Sequence, residues 1–348
     1  MKGIFETGLG MHVVPQVASS SSWLGSQVSI STVPYVFYNG CAVVLNGEIH
    51  ILGAGGTASS NYRKHYKWNG TTWTSMGTLP FNFYTGSAVV LNGEIHILGG
   101  QANPTKHYKW DGSSWVSVST IPYSFYQGGA VVLNDEIHIL GGNGVATNHY
   151  KWDGSSWSSV STLPYNMNWG ATVVLNDEIH ILGSSFSSAY TSHYKWDGLS
   201  WVSVSTIPIQ CDYSSAVVLH DEIHILGSGQ NSYYAAHYKW TGTTWTSISS
   251  LPVSFYRGCA VVLNDEIHML GGEASDTTHY TCYSGGVYVN KMYLPAGRSV
   301  YCDKNTHSIR PAQNCKVVDD HLEVTETGEV VFYVDSAAGS NLTTYSIF

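Results

Sequence analysis

The sequence predicts an all-β protein, a six-bladed β-propeller closed by an N-terminal strand and followed by a small β-rich appendage. Three observations predict it. The tetrad Glu-Ile-His-(Ile/Met) recurs six times, starting at Glu48, Glu94, Glu136, Glu178, Glu222 and Glu266, at intervals of 42 to 46 residues. Each copy leads on to His-Tyr, at His65, His107, His149, His193, His237 and His279. Asn-Gly, Asn-Asp and Asp-Gly dipeptides stand at fixed places between the apolar runs. Self-similarity at about 40–50 residues, with four short strands per unit, marks propeller blades.

Within the first unit, strand a is Ala42-Val43-Val44-Leu45, apolar on both faces as a fully buried strand should be. Strand b runs from Glu48 to Leu52, and strand c from His65 to Trp68. Strand d contains Trp73 and runs towards Leu79-Pro80. Two-residue turns are expected between a and b (Asn46-Gly47) and between c and d (Asn69-Gly70, Asp111-Gly112), because Asn, Asp and Gly tolerate positive φ.

The sixth unit is cut short: Thr281-Cys282-Tyr283 follows His279-Tyr280 with no second Trp. The missing strand-d copy stands at the other end, from Ser22-Trp23-Leu24 to Val33-Pro34. An N-terminal strand carrying Trp23 should therefore complete the last blade and remove an exposed edge. This divides the chain into an N-terminal segment 1–21, a propeller 22–283 and a non-repeating domain 284–348. In the last, Leu322 to Val334 reads as a hairpin about Thr327-Gly328, with Val330, Phe332 and Val334 alternating. The first twenty residues are expected to pack against it.

These residues resemble the kelch repeat over roughly 22–282. Leu98-Gly99-Gly100 closes strand b, and a strand-c Tyr stands seven residues before the strand-d Trp, as in Tyr108 and Trp115. WD40 is the rival, since Trp110-Asp111 ends strand c; the double glycine and the strand-d Trp favour kelch. His50 and its equivalents depart from the pattern, where kelch repeats usually carry an aromatic. Near-identical repeats with few charges and many Ser, Thr and Tyr are similar to kelch-like segments of prophage tail-associated proteins.

Composition narrows the function. Charged residues are only 11% of 348, while Tyr (24) and Trp (12) are abundant. The net charge is −9 (15 − 24) and no basic cluster exists, which argues against nucleic acid, whose phosphates need a Lys/Arg footprint. No apolar run approaches the roughly 18 residues that insert into a membrane. Residues 1–22 carry one Lys and no sustained apolar segment, so no secretory signal is read there. Six Cys in 348 residues are too sparse for a disulfide scaffold, and no CxxC spacing points to zinc.

Blades alternate direction, so connections sort onto two faces. The a–b and c–d turns are monotonous. The b–c loops vary in length and content, and the d–a loops carry Phe37-Tyr38, Phe83-Tyr84, Phe125-Tyr126 and Phe255-Tyr256. Blades 4 and 5 substitute Met167-Asn168-Trp169 and Cys211-Asp212-Tyr213. One slot differs in every copy: Asn39, Thr85, Gln127, Trp169, Tyr213 and Arg257. Divergence at one position of an otherwise constant scaffold points to recognition, weighed against drift at exposed positions. The candidate binding residues are therefore Asn39, Thr85, Gln127, Asn168, Trp169, Asp212, Tyr213, Tyr256 and Arg257, with Trp169 and Tyr213 expected to be exposed.

The twelve repeat histidines recur too regularly for one metal site, so they are expected to be buried and structural, with no cofactor or metal. Glu48 and its copies read as pairing groups near a turn. Some kelch-like propellers are copper oxidases or sugar mutarotases. Here Asp212 with Arg257 is the one acid–base pairing offered, with Cys211 nearby. The expected function is a non-enzymatic module that binds a glycan or cell-surface receptor, on a virion or cell exterior. A protein–protein scaffold docked to other structural proteins through 284–348 is one alternative, and a carbohydrate-active enzyme another.

Overall fold

The computed structural model describes residues 28–53, 59–143, 147–186, 189–229, 234–248, 250–272 and 277–282, and within the C-terminal region 287–294, 296–297, 299–302, 307–313, 315–318, 321–325, 328–336 and 345–347. Trp23, the first twenty residues and their expected packing lie outside the described residues. The chain forms two compact units, one spanning Leu24–Tyr283 and the other containing Ser284–Phe348.

The larger unit is a six-bladed β-propeller of four-stranded antiparallel sheets. Blade 1 comprises strands a Cys41–Leu45, b Glu48–Leu52, c Lys64–Trp68 and d Trp73–Thr78. Blades 2 to 5 repeat this order, with strands a at Ser87–Leu91, Gly129–Leu133, Ala171–Leu175 and Ser215–Leu219. Blade 6 takes strands a to c from Cys259–Leu263, Glu266–Leu270 and Thr278–Cys282, and strand d from Val28–Thr32. The register Val28↔Thr281 and Thr32↔Thr278 joins the two ends of the propeller in one sheet, as the missing sixth repeat of strand d requires. Each strand a packs against the strands a of its two neighbouring blades, forming an inner ring.

The core lies between blades. Val43, Leu45 and Leu52 of blade 1 pack on Ile95, Ile97 and Trp110 of blade 2, with Phe81 and Phe83 between them. Burying one such side chain stabilises by about 1.5–3 kcal/mol, and the repeat supplies this contact around the ring. Strand a is less buried than its apolar run implies. Val43 and Leu45 are buried, but Ala42 and Val44 are half-buried, because the innermost strand has one face towards the axis.

The a–b turns are the expected two-residue type, with Asn46 at φ 52° and Gly47 at φ 74°. The c–d turns are longer than expected. Trp68 pairs directly with Trp73, which leaves a four-residue connection. The Asn69 side chain accepts from the backbone N–H of Thr71 and Thr72 at 3.0 and 2.8 Å. A side chain that substitutes for backbone partners permits the wider turn. Asp111 does the same with Ser113 and Ser114, and these bonds hold its carboxyl below the usual carboxylate range.

The repeat histidines link the strands and the blades. In every blade the strand-b ring Nδ1 lies 2.8–2.9 Å from the strand-c ring Nε2, as in His96 and His107. His107 Nδ1 then meets Ser119 Oγ on strand d at 2.8 Å, and Trp157 Nε1 of blade 3 donates to the same hydroxyl at 2.9 Å. The same junction recurs at Ser161, Ser205 and Ser31. Blade 1 carries Gly77 in place of the serine, and His65 Nδ1 and Trp115 Nε1 are both buried without partners. The strand-b histidines are 0–5% exposed. Burial lowers their pKa to about 4 at His50, His96, His138, His180 and His268, and lowers the strand-c pKa to about 3 at His65, His107, His149, His193 and His279. The strand-b glutamates pair with strand-c lysines at 2.8–2.9 Å in blades 1 to 5, from Glu48–Lys67 to Glu222–Lys239.

The C-terminal unit holds a three-stranded sheet and a four-stranded sheet. The expected hairpin about Thr327-Gly328 does not form. His321–Val324 pairs with Cys315–Val318 in one sheet, while Gly328–Ser336 lies between Val287–Leu294 and His307–Gln313 in the other. As a central strand, Gly328–Ser336 pairs on both edges, which a hairpin with a four-residue partner would not provide.

Candidate functional site

The b–c and d–a loops knit together on one face. Phe83 N–H donates to the Tyr62 carbonyl, Phe125 N–H to Pro104, and Gly229 N–H to Asp212. Glycine is required where strand b ends. A Cβ on Gly99, at φ 60°, would stand 1.9 Å from the Phe125 carbonyl oxygen of the following d–a loop.

The six variable residues converge at the axis. Asn39, Thr85, Gln127, Trp169, Tyr213 and Arg257 all have φ between 53° and 63°. Each donates its backbone N–H to the carbonyl of its equivalent in the preceding blade, at 2.7–2.9 Å, and Asn39 closes the circle on Arg257. Left-handed backbone is rare for bulky or β-branched residues such as Trp169 and Thr85. Such outliers cluster at functional sites. With the following residues Gly40, Gly86, Gly128, Gly170, Ser214 and Gly258, the six line a cavity of about 110 Å³.

The circle has two unlike arcs. Trp169 and Tyr213 pack with ring centroids 4.7 Å apart and planes tilted by 36°, and the Arg257 guanidinium lies 4.7 Å from the Tyr213 ring centre. Tyr256, outside the cavity lining, flanks Arg257 at 5.7 Å and stacks on Tyr234 at 4.6 Å. The other arc is Asn39, Thr85 and Gln127. Asn39 Oδ1 and Thr85 Oγ1 are buried and have no hydrogen-bond partner. Trp169 and Tyr213 are half-buried rather than exposed, because each covers the other.

Two candidates are set back from this surface. Asn168 and Asp212 are 8% and 4% exposed. They occupy the position held by Tyr38, Tyr84, Tyr126 and Tyr256 in the other blades, and their shorter side chains fit beneath the rim. Ser184 and Ser228 hold these loops: Ser184 Oγ donates to the Asn166 carbonyl at 2.7 Å, and Ser228 Oγ lies 3.5 Å from Asp212 Oδ1. These serines replace the second glycine of Leu-Gly-Gly in the same two blades, a paired change visible in the sequence but passed over. Asp212 is thus buried beside Ser228, and the Arg257 guanidinium lies over the Tyr213 ring. Phe37, Phe83, Phe125 and Phe255 are fully buried, and Cys211 and Met167 fill the equivalent places. Burial pushes the Cys211 thiol up to about 12, which keeps it protonated at neutral pH.

The glycines and Ser214 that line the cavity were not singled out from sequence, although each directly follows a variable residue. Among the described residues no group of three His, Cys, Asp or Glu is placed to hold a metal ion, and no helix is long and apolar enough to cross a membrane.

No family model and no curated protein matches this sequence. Among solved structures, one described as the structure of YjhT is similar over 76% of this chain and 97% of its own, with a TM-score of 0.61 and 16% identity. At that identity the likeness concerns the fold, and the chain is a six-bladed β-propeller.

Proposed function

We propose that this chain is a non-enzymatic binding module that recognises a glycan or cell-surface ligand at the axial cavity of its b–c/d–a loop face. The observation that carries the reading is convergence. The one position that differs in all six repeats lies, in all six, on a single closed circle around one cavity. Equivalent positions of six blades fall on a circle in any case; the point that favours recognition is that the circle lining the cavity is the one whose side chains differ, while its backbone hydrogen bonds stay constant. The tilted Trp169–Tyr213 pair offers the apolar surface that sugar rings favour, and Arg257, Asn39, Thr85 and Gln127 offer hydrogen-bonding groups. The kelch-like repeat and its similarity to prophage tail-associated segments favour a place in a phage tail or surface assembly.

The test is binding to an array of cell-surface polysaccharides and oligosaccharides. Trp169→Ala or Tyr213→Ala should lose at least about 2 kcal/mol, some thirtyfold in affinity, as a binding hot spot does. Asn46→Ala and Asp111→Ala, on the opposite face, should leave affinity unchanged and lower stability. The reverse pattern would place binding on the turn face. A second reading, a protein–protein scaffold, is favoured by the separate compact unit containing Ser284–Phe348. It expects no sugar selectivity, and loss of partner proteins on deleting 284–348.

A further inference from the structure

We infer that the axial cavity receives the end of a chain, and that this end is a single hydroxyl-bearing ring; the inference rests on the glycan reading above. Closure is the first argument. The six loops that surround the cavity are joined backbone to backbone by six hydrogen bonds, Asn39 to Arg257 included. A groove has an entrance and an exit, and an internal segment of a polymer needs both. This rim is continuous, so only a terminus can enter along the axis. Size is the second argument. About 110 Å³ is well below the roughly 300–1,000 Å³ of sites that enclose drug-sized ligands. It has room for one ring or part of one.

The two arcs then orient the ring. Trp169 and Tyr213 supply the apolar wall. Across the circle, Thr85 is 7% exposed, and its Oγ1 and the neighbouring Asn39 Oδ1 are buried without partners. Buried polar atoms left unpaired are costly, and natural structures pair nearly all of them. Both residues line the cavity, so a rotation of either side chain would bring its oxygen to hydroxyls on a ring that lies against Trp169. The arrangement therefore reads the hydroxyl pattern of the terminal ring through Asn39 and Thr85, and its C–H face through Trp169 and Tyr213.

The experiment uses the full chain on an array of glycans attached through their reducing ends. The glycans are printed in pairs that share an inner chain, one member carrying an added capping sugar. Binding should follow the terminal residue and ignore the inner chain. Thr85→Val keeps the shape and removes the hydroxyl, and Asn39→Gly keeps the left-handed backbone and removes the amide. Each should weaken binding about tenfold or more without lowering the thermal midpoint, and Thr85→Ser should retain binding. A blank array removes the glycan reading, and this inference falls with it. Binding indifferent to the cap overturns end recognition while leaving the glycan reading intact. Terminal-dependent binding that Trp169→Ala abolishes but Thr85→Val and Asn39→Gly leave unchanged overturns the assignment of the polar arc.

Discussion

At the scale of single residues, the repeats act as internal controls for one another. Trp157 Nε1 donates to Ser119, whereas Trp115 Nε1, facing Gly77 of blade 1, has no partner. Trp157→Phe should therefore cost about 1 kcal/mol more than Trp115→Phe, the net worth of one hydrogen bond. Urea unfolding of the two variants at neutral pH measures the difference, and equal costs would deny the junction its role. Gly99 provides a second comparison. A Cβ there meets the Phe125 carbonyl at 1.9 Å, while at Gly112, φ 99°, nothing lies within 4 Å. Gly99→Ala should cost at least about 2 kcal/mol, from strain plus displacement of the next loop, and more than Gly112→Ala, which bears the strain alone.

At the scale of elements, closure depends on one short strand. Val28–Thr32 covers the edge of Thr278–Cys282, and Ser31 Oγ both meets His279 and accepts from Trp73 of blade 1. Deleting residues 1–34 removes that strand and Val33, which is buried in the core between blades 6 and 1. It leaves an open edge and an unfilled site. The truncated protein should lose its cooperative thermal transition. An unchanged melting temperature would mean that the ring closes without strand d of blade 6. The hairpin expected about Thr327 illustrates the opposite case. Alternation of Val330, Phe332 and Val334 correctly marked a strand, but alternation carries no information on which neighbour a strand chooses.

At the scale of the whole molecule, the twelve buried histidines make folding dependent on pH. Desolvation lowers their folded pKa values to about 3 or 4 in most blades, from an ordinary value of 6.5. The unfolded chain therefore binds protons first as pH falls. The stabilisation is present above pH 6.5 and is lost as pH drops from there towards 4. Each histidine contributes a slope of up to about 1.4 kcal/mol per pH unit in that window. Acting together they should destabilise the ring as pH falls below 6.5, before the Asp111, Asp153 and Asp197 turns begin to protonate. Melting temperatures recorded from pH 7 to 4 should fall steeply below 6.5. A flat profile would contradict neutral, buried His–His pairs.

The sequence by itself determined the number of blades, the strand order, the turn positions, the crossing of the N-terminal strand into the last blade and the single position that varies. Each is local or periodic: an apolar pattern, a turn dipeptide, or a copy found out of place. Tertiary structure decided what the pattern leaves open. Phe37 and Tyr38 are neighbouring aromatic residues, yet one is fully buried and the other half-exposed. Asn168 and Asp212 look like surface polar groups, yet both lie beneath the rim beside Ser184 and Ser228. The circle of hydrogen bonds from Asn39 to Arg257 joins residues 42 to 46 positions apart, with closure between blades 6 and 1. Only ring closure brings their left-handed backbones into one plane of donors and acceptors. Exposure and convergence depend on how blades pack across the axis, and that packing is a property of the closed ring rather than of any one repeat.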